Sequence, residues 1–186
     1  MQLKLAEIIA KKYVDKLAPF CERISIAGSI RRQCKEVNDI EIVCIPKREA
    51  SDFFGGCLVP IKEFIDEVEK LTRIRGEATG RYTRRSTLEG IDIDLFMVKK
   101  ENWGLQLAIR TGPASFSHKF LAAGWVRSGL QSSEGMLYTR IDKRVVPVYE
   151  EEDLFKMIKE KYIEPEFRLS IGDETINYNY RSVRQG

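Results

Sequence analysis

Two short stretches in which acids alternate with isoleucines constrain this chain more than any other feature. They read Asp39-Ile40-Glu41-Ile42 and Ile91-Asp92-Ile93-Asp94. Side chains alternate between the two faces of a β-strand, so each stretch predicts a strand with one apolar face and one acidic face. If the two strands are neighbours in one sheet, three or four carboxylates converge on one side of it.

A convergence of carboxylates requires cations, because like charges a few ångströms apart repel strongly. Hard oxygen ligands suit Mg²⁺, and two such ions bridged by carboxylates form an apparatus for phosphoryl transfer. The alternative interpretation is a half-exposed sheet whose acids face solvent, which is common for a single strand of this kind. The segment before the first acidic strand helps to decide between the two.

A turn with phosphate-binding character precedes that strand. An apolar run that ends at Ala27 predicts another strand, and Gly28, Ser29, Arg31 and Arg32 follow it. Glycine permits the close approach of a ligand, a serine hydroxyl can cap a short helix, and arginine binds phosphate oxygens in pairs. Beside paired acids, this turn favours a triphosphate site. Alone, it is equally compatible with a surface turn carrying two solvated arginines.

The order of the predicted elements indicates an α+β fold. In the first half, helical spacing covers residues 2–17 and 59–71, and strand patterns fall at 24–27, 39–45, 72–75, 81–85 and 91–98. The second half predicts a broken helix over 103–129, short strands at 137–139 and 144–146, and a helix over 151–161. We therefore expect a mixed β-sheet flanked by helices in residues 1–98, and a small, mostly helical domain with a short β-hairpin in residues 99–186.

The composition is typical of a soluble intracellular protein. The chain has 186 residues, 43% of them hydrophobic, and a formal net charge of +3. Its four cysteines form no Cys-x-x-Cys pair and its one histidine is His118, so free thiols in a reducing compartment are expected rather than a zinc site. The N-terminal segment is too charged for a signal peptide and too polar to cross a membrane. We expect a cytoplasmic monomer, with no membrane partner, and a virus- or phage-encoded protein fits this description.

Five arginines crowd into one short stretch and suggest contact with nucleic acid. They are Arg73, Arg75, Arg81, Arg84 and Arg85. If they lie on adjacent strands, several share a face and form a basic stripe suited to the phosphates of DNA. The alternative is a hairpin surface on which the arginines form salt bridges.

The turn and the first acidic strand together resemble the signature of the nucleotidyltransferase superfamily, in which Gly-Ser or Gly-Gly is followed by Asp-x-Asp or Asp-x-Glu. Here Gly28-Ser29 is followed by Asp39-Ile40-Glu41. Two further segments narrow the resemblance to the family X DNA polymerases. Asp94 precedes Thr111-Gly112 by the distance that separates the third catalytic aspartate from a Thr-Gly motif in that family. Residues Tyr162–Arg168 resemble its closing motif, Tyr-x-Glu-Pro-x-x-Arg.

This resemblance spans residues 24–168 and implies the minimal viral type of the family, a palm domain with one C-terminal domain. It implies a DNA polymerase that adds dNTPs to a primer 3′-hydroxyl with two Mg²⁺ or Mn²⁺ ions, in gap filling or DNA repair, on primer–template or gapped DNA. The catalytic and metal-binding residues that it implies are Asp39, Glu41 and Asp94. The nucleotide-binding residues that it implies are Gly28, Ser29, Arg31, Arg32, Arg110, Thr111 and Gly112.

Several positions depart from the family pattern. Glu41 stands where the polymerases usually have aspartate, and Arg110 stands where they usually have an aromatic residue beside the sugar. Asp92 is an additional acid, which either supplements the metal site or orients Asp94, or else pairs with a nearby arginine. The functional alternatives are a template-independent or small-molecule nucleotidyltransferase and a non-catalytic nucleic-acid-binding module.

Overall fold

The computed structural model describes residues 1–50 and 56–168. Contacts divide the chain into two compact units, Met1–Lys100 and Glu101–Gly186, here called the N-terminal unit and the C-terminal unit. Both units combine helices and strands, which confirms the predicted α+β class with a mixed sheet flanked by helices. None of the helices within residues 1–50 and 56–168 combines the length and the apolar character that a membrane span requires.

The N-terminal unit is built on a five-stranded sheet. Its strands in chain order are β1 (Cys21–Ile26), β2 (Asp39–Pro46), β3 (Arg48–Ala50), β4 (Leu58–Pro60), β5 (Thr72–Arg75), β6 (Tyr82–Ser86) and β7 (Asp92–Met97). The sheet has the order β1-β2-β7-β6-β5, in which β2 and β7 are parallel and the other neighbours are antiparallel. β3 and β4 form a separate antiparallel pair, which the sequence analysis did not predict.

Two helices pack on one face of this sheet. They are α1 (Leu3–Leu17) and α3 (Lys62–Glu69), while α2 (Gly28–Arg31) is the short turn after β1. The core beneath them contains both central strands, and its members include Ala6, Ile9, Tyr13, Leu17, Ile40, Ile42, Phe64, Val68, Ile93 and Leu95. The isoleucines that alternate with the acids therefore face the helices, and this leaves the acids on the opposite face of the sheet.

The helix predicted over 59–71 is shorter in the structure. Residues Leu58–Pro60 form β4, and α3 begins at Lys62. Val59 precedes Pro60, and the residue before a proline is sterically biased toward extended backbone. The apolar spacing at the start of that segment therefore belongs to a strand rather than to a helix.

A hydrogen-bonded ion pair ties α1 to the turn between β6 and β7. Glu89 in that turn accepts a hydrogen bond of 2.8 Å from the Tyr13 hydroxyl and pairs with the Lys12 ammonium. The hydrogen bonds from Lys12 and Tyr13 lower the pKa of Glu89 to about 2, against the opposing effect of burial. Burial and the contact with Glu89 raise the pKa of Tyr13 to about 12.

Replacing Glu89 with glutamine should lower the free energy of unfolding by about 1 kcal/mol at neutral pH, because part-exposed ion pairs contribute little more than this. The pKa of Glu89 falls from 4.5 to about 2 on folding, so its contribution is present above pH 4.5 and is lost as the pH falls through 2. Thermal unfolding across this range should give two curves that converge in acid. Asp15→Asn, which removes an exposed pair with Lys11, is the control and should change little. A Glu89→Gln protein as stable as the parent at neutral pH would contradict the assigned contact.

The C-terminal unit combines helices with a three-stranded antiparallel sheet. Its helices are α4 (Trp103–Thr111), a π-helix (Phe116–Ala122), α5 (Ala123–Arg127) and α6 (Glu151–Met157). Its strands are β8 (Leu130–Ser133), β9 (Met136–Thr139) and β10 (Val145–Val146), with β9 in the centre. The predicted hairpin corresponds to β9 and β10. β8 escaped prediction because Leu130 is its one buried residue, so its sequence carries no alternating apolar pattern.

A buried ion pair fixes the Tyr162–Arg168 segment to α6. The Arg168 Nη1 atom donates to Glu151 Oε1 at 2.7 Å, and the two side chains are 0% and 4% exposed. Arg168 Nε donates to the Ile163 carbonyl at 2.9 Å, and the Tyr162 hydroxyl donates to Glu151 Oε2 at 3.2 Å. The guanidinium also lies 5.4 Å from the ring centre of Phe155. Tyr162, Arg168 and Glu151 therefore form one hydrogen-bonded network inside the C-terminal unit.

Candidate active site

The parallel pairing of β2 and β7 brings the predicted carboxylates together. In the register of the two strands, Asp39 lies opposite Asp92 and Glu41 lies opposite Asp94. Residues directly opposite on neighbouring strands point to the same face, and neighbouring strands lie about 4.8 Å apart. All four acids therefore occupy one small area, on the side of the sheet away from α1 and α3.

One arginine lies among these acids. Arg84 on β6 stands opposite Asp94 in the antiparallel register of β6 and β7. Its Nη1 atom is 3.0 Å from Asp94 Oδ2 and 3.5 Å from Asp39 Oδ2, and its Nη2 atom is 3.2 Å from Asp92 Oδ2. Burial alone would lower the pKa of Arg84, but the three aspartates together raise it. Arg84 therefore stays charged and offsets part of the negative charge of the cluster.

Asp94 is the acid of this group that the sheet buries most, with 8% of its surface exposed. The Tyr82 hydroxyl donates a hydrogen bond of 2.7 Å to its Oδ1 atom, while the Tyr82 ring stacks on Phe96. Burial raises the pKa of Asp94, and the charges of Asp39 and Asp92 act in the same direction, against Tyr82 and Arg84. Tyr82 thus fixes the orientation of the central acid.

The sequence analysis assigned Arg84 to DNA binding and predicted no contact of Tyr82 or Arg84 with the acids, whereas both contact Asp94. Both lie on the same face of β6, which is also the face of Asp94 on β7. The signal that could have identified them is their spacing: Tyr82 and Arg84 are two residues apart, so they share one face of a strand next to the second acidic strand. This signal becomes readable only when the pairing of β6 with β7 and its register are known.

The turn after β1 lies directly against Glu41. The Ala27 amide donates to the Glu41 carbonyl at 2.8 Å. A Cβ atom on Gly28 would lie 2.0 Å from Glu41 Oε2, and Gly28 has a φ of +62°. Glycine is required here for two reasons, because a side chain would both strain the backbone and collide with the Glu41 carboxylate. Ser29 lies inside the first turn of α2 and not at its cap, since the helix begins at Gly28.

The predicted nucleotide-binding residues fall into two groups, one in each unit. In the N-terminal unit, Gly28, Ser29, Arg31 and Arg32 belong to α2 or follow it directly, and the last three are half-buried. In the C-terminal unit, Arg110 and Thr111 end α4 and Gly112 follows.

The end of α4 is tightly packed against the π-helix. Thr111 is fully buried, and a Cβ atom on Gly112 would lie 2.7 Å from the ring of Phe116. The Ser117 hydroxyl donates to the Ile109 carbonyl at 2.8 Å, which holds the start of the π-helix against α4. The Thr-Gly turn therefore has a fixed shape within its own unit.

The structure does not bring the five arginines of the predicted basic stripe onto one surface. Arg84 faces the acids, whereas Arg85 points to the opposite face, is 3% exposed and donates from Nε to Thr83 Oγ1 at 2.9 Å. Burial lowers the pKa of Arg85. The remaining three arginines are exposed on β5 and at the residue before β6; they are Arg73, Arg75 and Arg81. Strand alternation separates Arg84 from Arg85.

Asp92 pairs with an arginine, as the second of its two interpretations expected. Arg84 reaches its Oδ2 atom with both Nε and Nη2, each at 3.2 Å. Both side chains are 31% exposed, so the pair lies at the rim of the acidic cluster. Asp92 thus neighbours the other acids and shares its counter-ion with Asp39 and Asp94.

The four carboxylates have the negative charge and the oxygen atoms that a hard divalent cation such as Mg²⁺ prefers. Carboxylate oxygens are the ligands that Mg²⁺ and Mn²⁺ prefer, and the space beside Gly28 is kept free for the carboxylate of Glu41. Residues 1–50 and 56–168 contain no group of three or more acidic, cysteine or histidine side chains already arranged around a metal position. Three of the acids nevertheless already share one cationic group.

The sequence matches no known protein family when it is compared with family models, and a comparison with curated proteins finds no match either. The likeness to the family X polymerases thus remains a resemblance carried by particular residues. The function that follows is argued from the chemistry of those residues and from the geometry of each unit.

Proposed function

We propose that this protein is a nucleotidyltransferase of the family X DNA polymerase type, which adds dNTPs to a primer 3′-hydroxyl in gap filling or DNA repair. The observation that carries this proposal is the register of β2 and β7, with Asp39 opposite Asp92 and Glu41 opposite Asp94. An acidic cluster of this kind next to a glycine turn is the combination that phosphoryl transfer requires. A solvent-facing acidic sheet, in contrast, needs neither a glycine against Glu41 nor a buried Asp94.

In this proposal, Asp39, Glu41 and Asp94 hold two Mg²⁺ or Mn²⁺ ions. Such ions, when bound, activate the attacking oxygen and stabilise the leaving oxygen of an in-line displacement. Asp94 is held rigidly by Tyr82 and orients the primer hydroxyl. Burial on the sheet keeps Asp94 in one orientation, so its carboxylate requires little rearrangement when substrate binds.

In this proposal, the N-terminal unit binds the triphosphate of the incoming nucleotide. Ser29, Arg31 and Arg32 bind its triphosphate, because a hydroxyl and two guanidinium groups next to the acidic strand supply donors to phosphate oxygens. The residues at the end of α4 contact its sugar and base, as the resemblance implies. They are Arg110, Thr111 and Gly112.

DNA phosphates are bound by the exposed arginines of the N-terminal unit. These are Arg73, Arg75 and Arg81, since Arg84 contacts the acids and Arg85 is buried. Arg73 also pairs with Glu77, but both side chains are more than half exposed and such a pair exchanges readily with phosphate. Binding through phosphates is independent of sequence and weakens as salt rises.

Extension of a primer on gapped DNA tests the proposal directly. Each dNTP and each rNTP is offered in turn, with Mg²⁺ or Mn²⁺, on DNA with and without a template strand. Incorporation of the templated dNTP supports the proposal. Addition regardless of template points to the template-independent alternative. DNA binding without any incorporation, or transfer to a small acceptor alone, contradicts it.

Replacing Gly28 with alanine should lower incorporation about a hundredfold, because displacement of a catalytic group by about 1 Å has an effect of this size. The new Cβ would lie 2.0 Å from Glu41 Oε2 and must displace that carboxylate. Single-turnover incorporation by the purified variant measures the loss.

A matched control for this variant is Gly90→Ala. Gly90 also has a positive φ, +76°, but no atom lies within 4 Å of the position that its Cβ would take. Both substitutions carry the backbone strain of about 1–2 kcal/mol, and only Gly28→Ala disturbs an acid. Equal activity of the two variants would argue against a role for Glu41.

A further inference from the structure

We propose that Arg84 is a built-in counter-ion of the acidic site and that Asp92 is the acid that anchors it. Arg84 neutralises Asp39 and Asp94 in the metal-free protein, a divalent cation displaces it from these two acids, and Asp92 retains it afterwards. This inference rests on the proposed function, and it gives roles to two residues that the resemblance leaves without one. Arg84 and Asp92 act here as positioning residues, through the acids and not on the substrate.

The first argument is the charge of the cluster. Four carboxylates share one face of two neighbouring strands, and Asp94 is almost fully buried. Like charges at this separation repel strongly where water is partly excluded, so the folded protein needs a cation in the cluster even without metal. Arg84 supplies such a cation, because its guanidinium contacts three of the four acids.

The second argument is the unequal way in which Arg84 holds the three aspartates. Two of its nitrogens, Nε and Nη2, each lie 3.2 Å from Asp92 Oδ2. A single nitrogen, Nη1, serves both Asp94 at 3.0 Å and Asp39 at 3.5 Å. A small rotation of the guanidinium can therefore release the two proposed metal ligands together while the contacts to Asp92 persist.

The third argument is accessibility. Arg84 and Asp92 are each 31% exposed, whereas the Asp94 side chain is 11% exposed. The arginine and its retaining acid lie at the solvent side of the cluster, where a long side chain can change position without unpacking the core. The buried Asp94 is meanwhile held by Tyr82, so it remains in place when Arg84 leaves.

The experiment is a Mn²⁺ titration without DNA or nucleotide, followed by the electron paramagnetic resonance signal of free Mn²⁺. Four proteins are compared: the parent, Arg84→Gln, Asp92→Asn and the double variant. Arg84→Gln should bind Mn²⁺ on the order of tenfold more tightly, because the competing cation is gone. Asp92→Asn should weaken binding in the parent, because Arg84 then stays on the metal ligands, and should have much less effect in the Arg84→Gln background.

Two further variants keep this test interpretable. Arg84→Lys keeps the charge, without the forked geometry, and should bind Mn²⁺ more nearly like the parent than Arg84→Gln does. Arg144→Gln removes an arginine of the C-terminal unit whose side chain is 78% exposed and pairs with Asp142, and it should change Mn²⁺ affinity little. Thermal unfolding with and without Mn²⁺ checks each fold, and Arg84→Gln should gain more stability from Mn²⁺ than the parent.

Unchanged or weaker Mn²⁺ binding by Arg84→Gln, with an intact fold, would overturn the counter-ion role and leave the proposed polymerase intact. An equal loss from Asp92→Asn in both backgrounds would make Asp92 a metal ligand and overturn its retaining role. No saturable Mn²⁺ binding in any of the four proteins would overturn this inference together with the metal site of the proposed function.

Discussion

The Asp94→Asn variant should incorporate nucleotides about 10⁴-fold more slowly than the parent, or not measurably, since removing one member of a group that acts as a unit in catalysis causes losses of this size or larger. Asparagine has the shape of aspartate but no charge, so it removes a proposed ligand of the catalytic ion while preserving the volume. Asp94 lies at the centre of the cluster, 2.7 Å from the Tyr82 hydroxyl and 3.0 Å from Arg84 Nη1. Gapped-DNA extension under single-turnover conditions is the measurement.

The control for Asp94→Asn is a substitution of the same chemistry outside the site. Asp66 on α3 forms an exposed pair with Lys62, and Asp66→Asn should leave incorporation unchanged. The affinity of Asp94→Asn for gapped DNA should stay close to that of the parent, because the proposed DNA contacts lie on other residues. Normal incorporation by a folded Asp94→Asn protein would show that the assignment of the catalytic acids is wrong.

Replacing Arg168 with methionine should destabilise the C-terminal unit by about 3–5 kcal/mol, the usual cost of removing one partner of a buried ion pair. Glu151, whose side chain is 4% exposed, would lose its cationic partner and retain only the neutral Tyr162 hydroxyl. The two tryptophans of the chain, Trp103 and Trp125, are both buried in the C-terminal unit. Denaturant unfolding followed by tryptophan fluorescence therefore reports on this unit specifically.

Two further variants test whether the burial of the Arg168–Glu151 ion pair is the cause of this loss. Arg127 pairs with Glu160 at 3.8 Å in the same unit, but its side chain is 61% exposed, so Arg127→Met should cost less than about 1 kcal/mol. The double variant Glu151→Leu with Arg168→Met removes both buried charges and should recover part of the loss. If Arg168→Met lowers the free energy of unfolding no more than Arg127→Met does, the contacts of the Tyr162–Arg168 segment do not stabilise the C-terminal unit.

The local alternation of apolar and acidic residues was sufficient to predict β2 and β7. The alternation of acids with Ile40, Ile42 and Ile93 predicted both strands, because burying the apolar face leaves one orientation for each. Gly28 was also recognisable, since a glycine after a strand and before charged residues indicates close backbone approach. Where the pattern was absent, prediction failed. β8 has one buried residue, and β4 lies in a segment whose apolar spacing also fits a helix.

The candidate site was also predictable from the sequence only in part. Strand periodicity predicted that Asp39 shares a face with Glu41 and that Asp92 shares a face with Asp94. The choice of Asp94 over Asp92 came from the resemblance to the family X polymerases. The convergence of these acids depended on β2 and β7 being parallel neighbours in one particular register, and this pairing joins segments far apart in the chain. Local sequence does not encode such a pairing, because it is selected by the packing of the whole sheet against α1 and α3.

The arginines show this limit most clearly. The sequence determined that Arg84 and Arg85 lie on opposite faces of a strand, since adjacent residues always do. It did not determine which of the two would face the acids, because that depends on the register of β6 against β7. The acidic strands by themselves thus determined that carboxylates line one face of the predicted sheet. The tertiary structure decided that one arginine stands among the four acids, because only the assembled sheet sets the distances between their charges.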